Sequence, residues 1–450
     1  MANTDYYKAL NDGLLNYYTY IAKGETPFLP VLDDILENVD VVGRIDLGLV
    51  DIPIDLIVGT STYARAVSFA HNFFPIVDDE SEFADKWIKL SDVWLSEGQK
   101  EPVKAYEFMN KFYIIEGNKR VSVSKYFNTP SVYGNVTRVI PKKTDEKENI
   151  IYYEFLDFYD VTKVNYLWFS KPGSFTRFLE IITHGDKRPW TEDEQRTFRS
   201  YYLHFEKEYM AKGGKKLSIT VADAMLAYIT IYGYDTLLDT PASVLGKNLS
   251  KIWNEFLMVG EDHAIALILE PEEKHVHPLF AKLKTLASGT LKVAFVHEKD
   301  AESSAWTYSH ELGRAHIEQK FGSHIATHCF DNIKDDEAED VIEQIIRDKY
   351  DIIFTTSPQL MIPSLRAAIN HPDKKILNCS LNTSHRYIRT YYARLYEAKF
   401  MAGAIAAMMC RTGKIGYIAD YPIYGMVANI NAFALGATLI NPYPRIFLEW

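Results

Sequence analysis

In the last third of the chain, short apolar runs alternate with segments of helical spacing. Asp351-Ile352-Ile353-Phe354-Thr355 is apolar between polar flanks and predicts a buried strand. Leu360 to Asn370 has helical spacing, and Ile376-Leu377-Asn378-Cys379 predicts a second strand. Strand, helix and strand at this spacing make a βαβ unit with both strands parallel in one sheet. The same alternation predicts strands at Leu291 to Val296, Ile325 to Phe330, Lys414 to Ala419 and from Arg445 onward. Between them, helices are predicted over Trp306 to Lys320 (ended by Gly322), Asp336 to Lys349, Tyr391 to Cys410 and Ala428 to Leu435. In a sheet of this kind a ligand settles beyond the carboxyl ends of the strands. The residues offered there are Asp300 to Trp306, Thr356 and Ser357, Ser380 to Asn382, and Asp420 to Tyr424.

The earlier pattern is a mixture of α and β. Ile45 to Ile52 alternates and predicts a strand, and Gly59-Thr60-Ser61-Thr62 turns into a helix that carries Arg65. Ser81 to Leu95 predicts a helix, Phe112 to Ile115 a strand, and Val121 to Phe127 a helix. Val136 to Ile140 and Ile150 to Phe158 read as strands on either side of the charged run Lys142 to Glu148, a solvated hairpin tip. Thr191-Glu192-Asp193-Glu194 is a capping box that opens a helical block continuing through Val221 to Tyr232 and Ser243 to Met258. The expected domains are a helical segment over 1–40, an α+β domain over 41–160, a helical connector over 161–270, a linker over 271–289 and a ligand-binding α/β domain over 290–450.

Length and charge narrow the function. A chain of 450 residues is long for a single core. A net charge of −11 argues against a broad nucleic-acid surface. Cys329, Cys379 and Cys410 are far apart, with no CxxC or zinc spacing, which predicts reduced, buried thiols. The first residues lack the pattern of a signal peptide or lipoprotein leader, and the longest apolar run, Phe400 to Cys410, is too short for a span of roughly 20 residues. A cytoplasmic location is expected, with association to the plasma membrane through a transporter as the alternative.

Catalytic patterns fail one by one. His310-Glu311-Leu312-Gly313-Arg314 lacks the second histidine of HExxH, and Gly59 to Tyr63 lacks the last glycine of a nucleophile elbow. His275 and His277 have no further ligands beside them in sequence. The turn Gly117-Asn118-Lys119-Arg120 differs from these: a Gly-Asn turn feeding a helix presents N–H groups at the positive end of the dipole, with two cations alongside. Gly117, Asn118, Lys119 and Arg120 are therefore candidate phosphate-binding residues; the open alternative is that Asn118 and Arg120 only brace the turn. The stretch resembles the ParB/sulfiredoxin-like fold, whose Gly-Asn-His-Arg motif cradles nucleotide phosphates, although Lys119 stands where that family has His.

The final stretch resembles the basic membrane protein (BMP, PnrA-like) family of substrate-binding proteins. The resemblance is carried by Ala305 to Arg314, Ile353 to Ser357, Tyr391 to Gly403, Gly413 to Ile418, Asn431 to Ala437, and Asn441-Pro442. It implies a periplasmic-binding-protein-type parallel α/β lobe that closes with a second lobe on a purine nucleoside or similar small molecule. The second lobe holds only two strands and a helix here, so it reads as incomplete, with Ile415, Tyr417, Phe447 and Leu448 lacking a cover. Candidate ligand-binding residues are Asp300, Trp306, Thr356, Ser357, Asn382, Asp420 and Tyr424. Trp306 either stacks on a base or is core at the start of a helix; Ser357 either bonds ligand or caps the next helix. The family often has Asp-x-Gly-Trp where this chain has Ser303-Ser304-Ala305-Trp306, so the expected carboxylate is absent unless Asp300 or Glu302 replaces it. The resulting expectation is a non-catalytic binding protein that needs no cofactor and has an ABC permease as a further partner. The alternative is a nucleotide-dependent enzyme or DNA-associated switch working at Gly117 to Arg120.

Overall fold

The computed structural model describes residues 2–98, 101–260, 290–380, 387–419 and 426–449. They fall into two compact units: Met1–Lys207 with Ile219–Leu226, and Glu208–Ser218 with Ala227–Trp450. Both are α/β.

The first unit is built on strands β1 (Val41–Pro53), β2 (Ile57–Thr60), β3 (Val103–Phe108), β4 (Lys111–Glu116) and β5 (Ser131–Pro141). They form one mixed sheet in the order β1-β5-β3-β4-β2. β3 and β4 pair antiparallel through the two-residue turn Met109-Asn110, both residues with positive φ, the backbone that matches strand twist in a tight hairpin. Val103, Ala105, Phe112, Ile114, Val132 and Val136 gather with Val121 of the helix Asn118–Tyr126 in one buried cluster. β1 lies at the sheet's edge, and its predicted alternation buries only Ile52.

Glu107 on β3 and Arg138 on β5 stand opposite each other and form an ion pair inside this unit, at 0 % and 5 % side-chain exposure. The carboxylate also accepts from the Asn110 backbone N–H at 2.6 Å and from the Tyr152 hydroxyl at 3.2 Å. Both carboxylate oxygens are thereby paired, which is what makes a buried charge tolerable.

Residues 150–158, expected as a strand, belong instead to the helix Lys147–Thr162. The buried positions Ile151, Tyr152, Phe155, Phe158, Tyr159 and Thr162 recur at a helical interval. Aromatic and β-branched residues gave the segment a strand-like composition while its period was helical. The charged run before it is therefore no hairpin tip: the Asn149 side chain binds Lys142 O at 3.0 Å and Thr144 N at 2.9 Å, leading the chain from β5 into that helix. The capping box is present, with Thr191 Oγ1 accepting from Glu194 N at 3.3 Å and the Glu194 carboxylate accepting from Thr191 N at 2.8 Å.

The second unit contains β6 (Leu291–Val296), β7 (Ile325–Phe330), β8 (Ile352–Thr355), β9 (Lys375–Cys379) and β10 (Ile388–Tyr391), all parallel in the order β10-β9-β8-β6-β7. β10 was not foreseen: Tyr391, expected in a helix, pairs with Cys379 on the sheet, and the helix is Leu395–Met409. A parallel pair of β11 (Lys414–Ile418) and β12 (Arg445–Glu449) follows. The helices Leu395–Met409 and Met426–Ile440 approach so closely that a Cβ on Gly403 would lie 2.0 Å from Phe433 O, and one on Gly436 1.9 Å from Phe400 O. Of the four residues expected to lack a cover, Ile415 and Tyr417 are buried in a cluster with Phe433 and Ala437, whereas Phe447 and Leu448 are exposed.

Cys379 is buried, but Cys329 and Cys410 are only partly so; none of the three forms a disulfide. Among the described residues, no helix is long and apolar enough to cross a membrane. The 271–289 linker, with His275 and His277, lies outside the described residues.

Candidate functional site

From β6 the chain passes to β7 on one side of the sheet, then crosses back to β8 on the other. Neighbouring strands whose connections leave in opposite directions open a crevice between their carboxyl ends. The chain just beyond β6 brings Glu298 and Lys299 there, and the chain beyond β8 brings Thr356, Ser357 and Pro358. Ser304, Trp306 and Thr307 come from the start of the helix Ala305–Phe321, and Tyr392 and Met426 complete the wall. The cavity measures about 140 Å³, room for about five waters at roughly 30 Å³ each.

Trp306 donates from Nε1 to the Thr356 carbonyl at 2.6 Å, and its ring centroid lies 5.9 Å from that of Tyr392, 36° from parallel. The indole is thus held by one polar contact while it lines the cavity. Thr356 is almost wholly buried; its N–H and hydroxyl both donate to Val296 O, at 3.1 and 3.2 Å, tying the end of β8 to β6. Ser357 Oγ accepts from Gln359 N at 3.2 Å, capping the short turn Pro358–Leu360, and donates to Glu298 Oε2 at 2.7 Å. Ser357 is therefore a cap and a lining residue at once. Beneath it, the Asn378 amide donates to Thr355 Oγ1 and to Ser357 O, both at 2.9 Å, which fixes the β8 and β9 ends relative to each other.

Asp300 is not among the cavity's lining residues. Its carboxylate accepts from Ser303 N and Ser303 Oγ, each at 2.7 Å, and from Asn332 at 3.3 Å. These bonds, the Ser303 hydroxyl's first, hold the Asp300 carboxyl below the usual carboxylate range. It closes the turn ahead of the helix. Asn382, Asp420 and Tyr424 lie outside the described residues. The carboxylate at the cleft is Glu298, which the sequence reading passed over. It follows β6 by two residues, within reach of the strand-end rule and just ahead of the expected span that starts at Asp300.

The turn of the first unit has a different character. Gly117 takes φ 110°, a left-handed backbone that favours glycine, and ends at the helix Asn118–Tyr126. A Cβ there would also meet Val103 Cγ1 at 2.7 Å. Arg120 Nη1 donates to the carbonyls of Glu101 and Pro102, each at 3.1 Å, and to the Glu101 carboxylate at 3.2 Å. Arg120 thus braces the entry to β3. Asn118 is buried, and its Oδ1 has no hydrogen-bond partner among the described residues. The Lys119 ammonium lies 4.3 Å from the centroid of the Phe83 ring. Burial holds its pKa below the ordinary lysine value, with Lys86 and Arg65 adding repulsion.

Residues 290–450 match the family model of PnrA-like ABC transporter substrate-binding proteins. A protein of Brucella abortus named a purine-binding protein is 33% identical over 165 residues, covering 36% of this chain and 47% of that protein. A protein of Haloferax volcanii, provisionally named an ABC transporter glucose-binding protein, is 27% identical over 161 residues, 36% of this chain and 41% of its own length. The chain thus spans about half the length of the curated relatives it matches. A solved ABC-transporter solute-binding protein of Conexibacter woesei aligns at 16% identity over 36% of this chain and 54% of that one, with a TM-score of 0.29, too low to bear on the argument. The ParB/sulfiredoxin resemblance of the first unit receives no support from these matches.

Proposed function

We propose that the second unit binds a purine or purine nucleoside, without chemical change, in the cleft at the β6 and β8 carboxyl ends. The observation that carries this is the composition of the wall. Trp306 and Tyr392 provide flat apolar surface, and the Glu298–Ser357 pair provides an anionic acceptor and a hydroxyl side by side. A heterocycle with N–H donors on its edge needs this combination; a sugar needs more polar partners per unit of area. The family match and the purine-binding relative support the same reading. An ABC permease as recipient belongs to this proposal as well.

The test is calorimetry of the full chain with adenosine, guanosine, inosine and a panel of sugars that includes glucose. Heat with at least one purine nucleoside and none with the sugars is expected. Binding of glucose alone would transfer the reading to a sugar-binding protein.

A second reading concerns the first unit. Lys119, beside the Gly117 turn, is repelled by Lys86 and Arg65, and a bound phosphate would relieve that repulsion. On this reading the unit binds a nucleotide, as the ParB/sulfiredoxin resemblance implies, and Lys119→Ala lowers the affinity for a nucleoside triphosphate. A full chain that takes up no triphosphate would remove it.

A further inference from the structure

A second group of donors, separate from the cleft's lining, meets where β6 ends. His297 follows β6, Glu311 sits on the helix Ala305–Phe321, and Cys329 lies on β7. One ligand atom from each, an imidazole nitrogen, a carboxylate oxygen and the sulfur, all fall within 4.8 Å of one another. Glu311 Oε1 stands 3.1 Å from His297 Nε2 and 2.9 Å from Cys329 Sγ. Around a tetrahedral zinc ion, ligands at about 2.0–2.3 Å stand roughly 3.3–3.8 Å apart, so a small adjustment of side chains makes room for an ion.

We infer that His297, Glu311 and Cys329 form a binding site for a thiophilic divalent cation of the zinc class, with His297 Nε2, a Glu311 carboxylate oxygen and the Cys329 sulfur as ligands. The donor set is mixed nitrogen, oxygen and sulfur, which suits zinc or cobalt and disfavours calcium or magnesium. The surroundings supply the outer contacts that such ligands need. His297 is wholly buried, and its Nδ1 lies 2.8 Å from Thr356 Oγ1. The Thr356 hydroxyl in turn has Val296 O at 3.2 Å to take its proton, so it can accept from Nδ1–H and leave Nε2 as a lone pair for the ion. Arg314 Nε donates to both oxygens of that carboxylate, to Oε2 at 2.8 Å and to Oε1 at 3.1 Å, and fixes the carboxylate plane. Glu311 and Cys329 are partly exposed, which gives an ion a route in.

The proton balance is simple. Burial and the Glu311 carboxylate push the Cys329 thiol up to about 12, so without an ion the sulfur is protonated and donates to Glu311. One divalent ion enters, the S–H bond breaks, the sulfur's electron pair binds the ion and one proton leaves to solvent. The ion then joins β6, β7 and the helix between them.

The experiment uses the full chain, dialysed against chelator and titrated with cobalt(II), then zinc(II). One equivalent of cobalt is expected, with a near-ultraviolet sulfur-to-cobalt charge-transfer band that zinc abolishes. Cys329→Ser should remove the band and weaken uptake at least about tenfold, while Cys410→Ser leaves both unchanged. A measurement on the unmutated chain guards against a variant that fails to fold: zinc should slow alkylation of Cys329 at least tenfold and leave that of Cys410 as it was. No cobalt uptake, uptake without the band, a band that survives Cys329→Ser, or alkylation indifferent to zinc would each overturn the site, leaving the cluster as a hydrogen-bonded network only.

Discussion

The two units treat their polar side chains differently. In the first, the charges around β3 are spent on the protein itself: Glu107 and Arg138 satisfy each other between strands, and Arg120 grips the carbonyls of Glu101 and Pro102. In the second, Glu298 and Ser357 pair at the rim of a cavity faced by Trp306 and Tyr392. A motif of cations beside a helix start is therefore a weak pointer to a ligand when the protein consumes its donors. A strand-end crevice with polar pairs and aromatic walls is a stronger one. On this contrast, substitutions in the first unit change stability and those at the cleft change binding.

The largest effect should follow Glu107→Ala. It leaves Arg138 buried without its partner, and urea unfolding should show a loss of about 3–5 kcal/mol with nucleoside affinity intact in the folded fraction. Trp306→Ala should do the opposite, costing about 1–3 kcal/mol of binding, read by calorimetry, with little change in the unfolding midpoint. Equal losses in both measurements would dissolve the contrast. Arg120→Ala should lower stability by about 1–2 kcal/mol and leave nucleoside binding untouched.

The smallest effect is expected from pH. Glu194 is held down at about 2, first by the Arg188 hydrogen bond and then by the Thr191 N–H and hydroxyl. A depressed carboxylate contributes stability above its unfolded value, near 4.3, and loses it as pH falls through the folded value. Amide protection at the start of the helix Glu192–Ala211, measured relative to the intrinsic exchange rate at each pH, should therefore fall between about pH 4 and 2. Arg188→Ala, which removes the first of these hydrogen bonds, should shrink that dependence.

Much of the second unit could be read in the sequence because parallel strands buried on both faces leave short apolar runs with helices of clear period between them. β10 escaped notice because Ile388-Arg389-Thr390-Tyr391 has no such run; it is a strand only because β9 offers it a partner. The segment 150–158 was misread because composition and period disagreed, and period is the better guide in a helix that buries a stripe of Tyr and Phe. At the cleft, Trp306, Thr356 and Ser357 were reached from strand ends alone and do line it, whereas Asp300 is committed to the turn at Ser303. Glu298 lay within reach of the strand-end rule, whereas Tyr392 did not, since one residue more or less along a loop decides which side chain faces a cavity. The His297, Glu311 and Cys329 cluster draws on three separate elements and leaves no motif in the sequence to find.

The most direct test of a ligand in the strand-end cleft is fluorine NMR of the full chain labelled with 5-fluorotryptophan, titrated with adenosine, guanosine and inosine. Of the seven tryptophans, Trp306, assigned through Trp306→Phe, should be the one whose resonance moves on saturation with the nucleoside that binds. A stationary Trp306 signal while Trp94 or another tryptophan shifts would contradict the account.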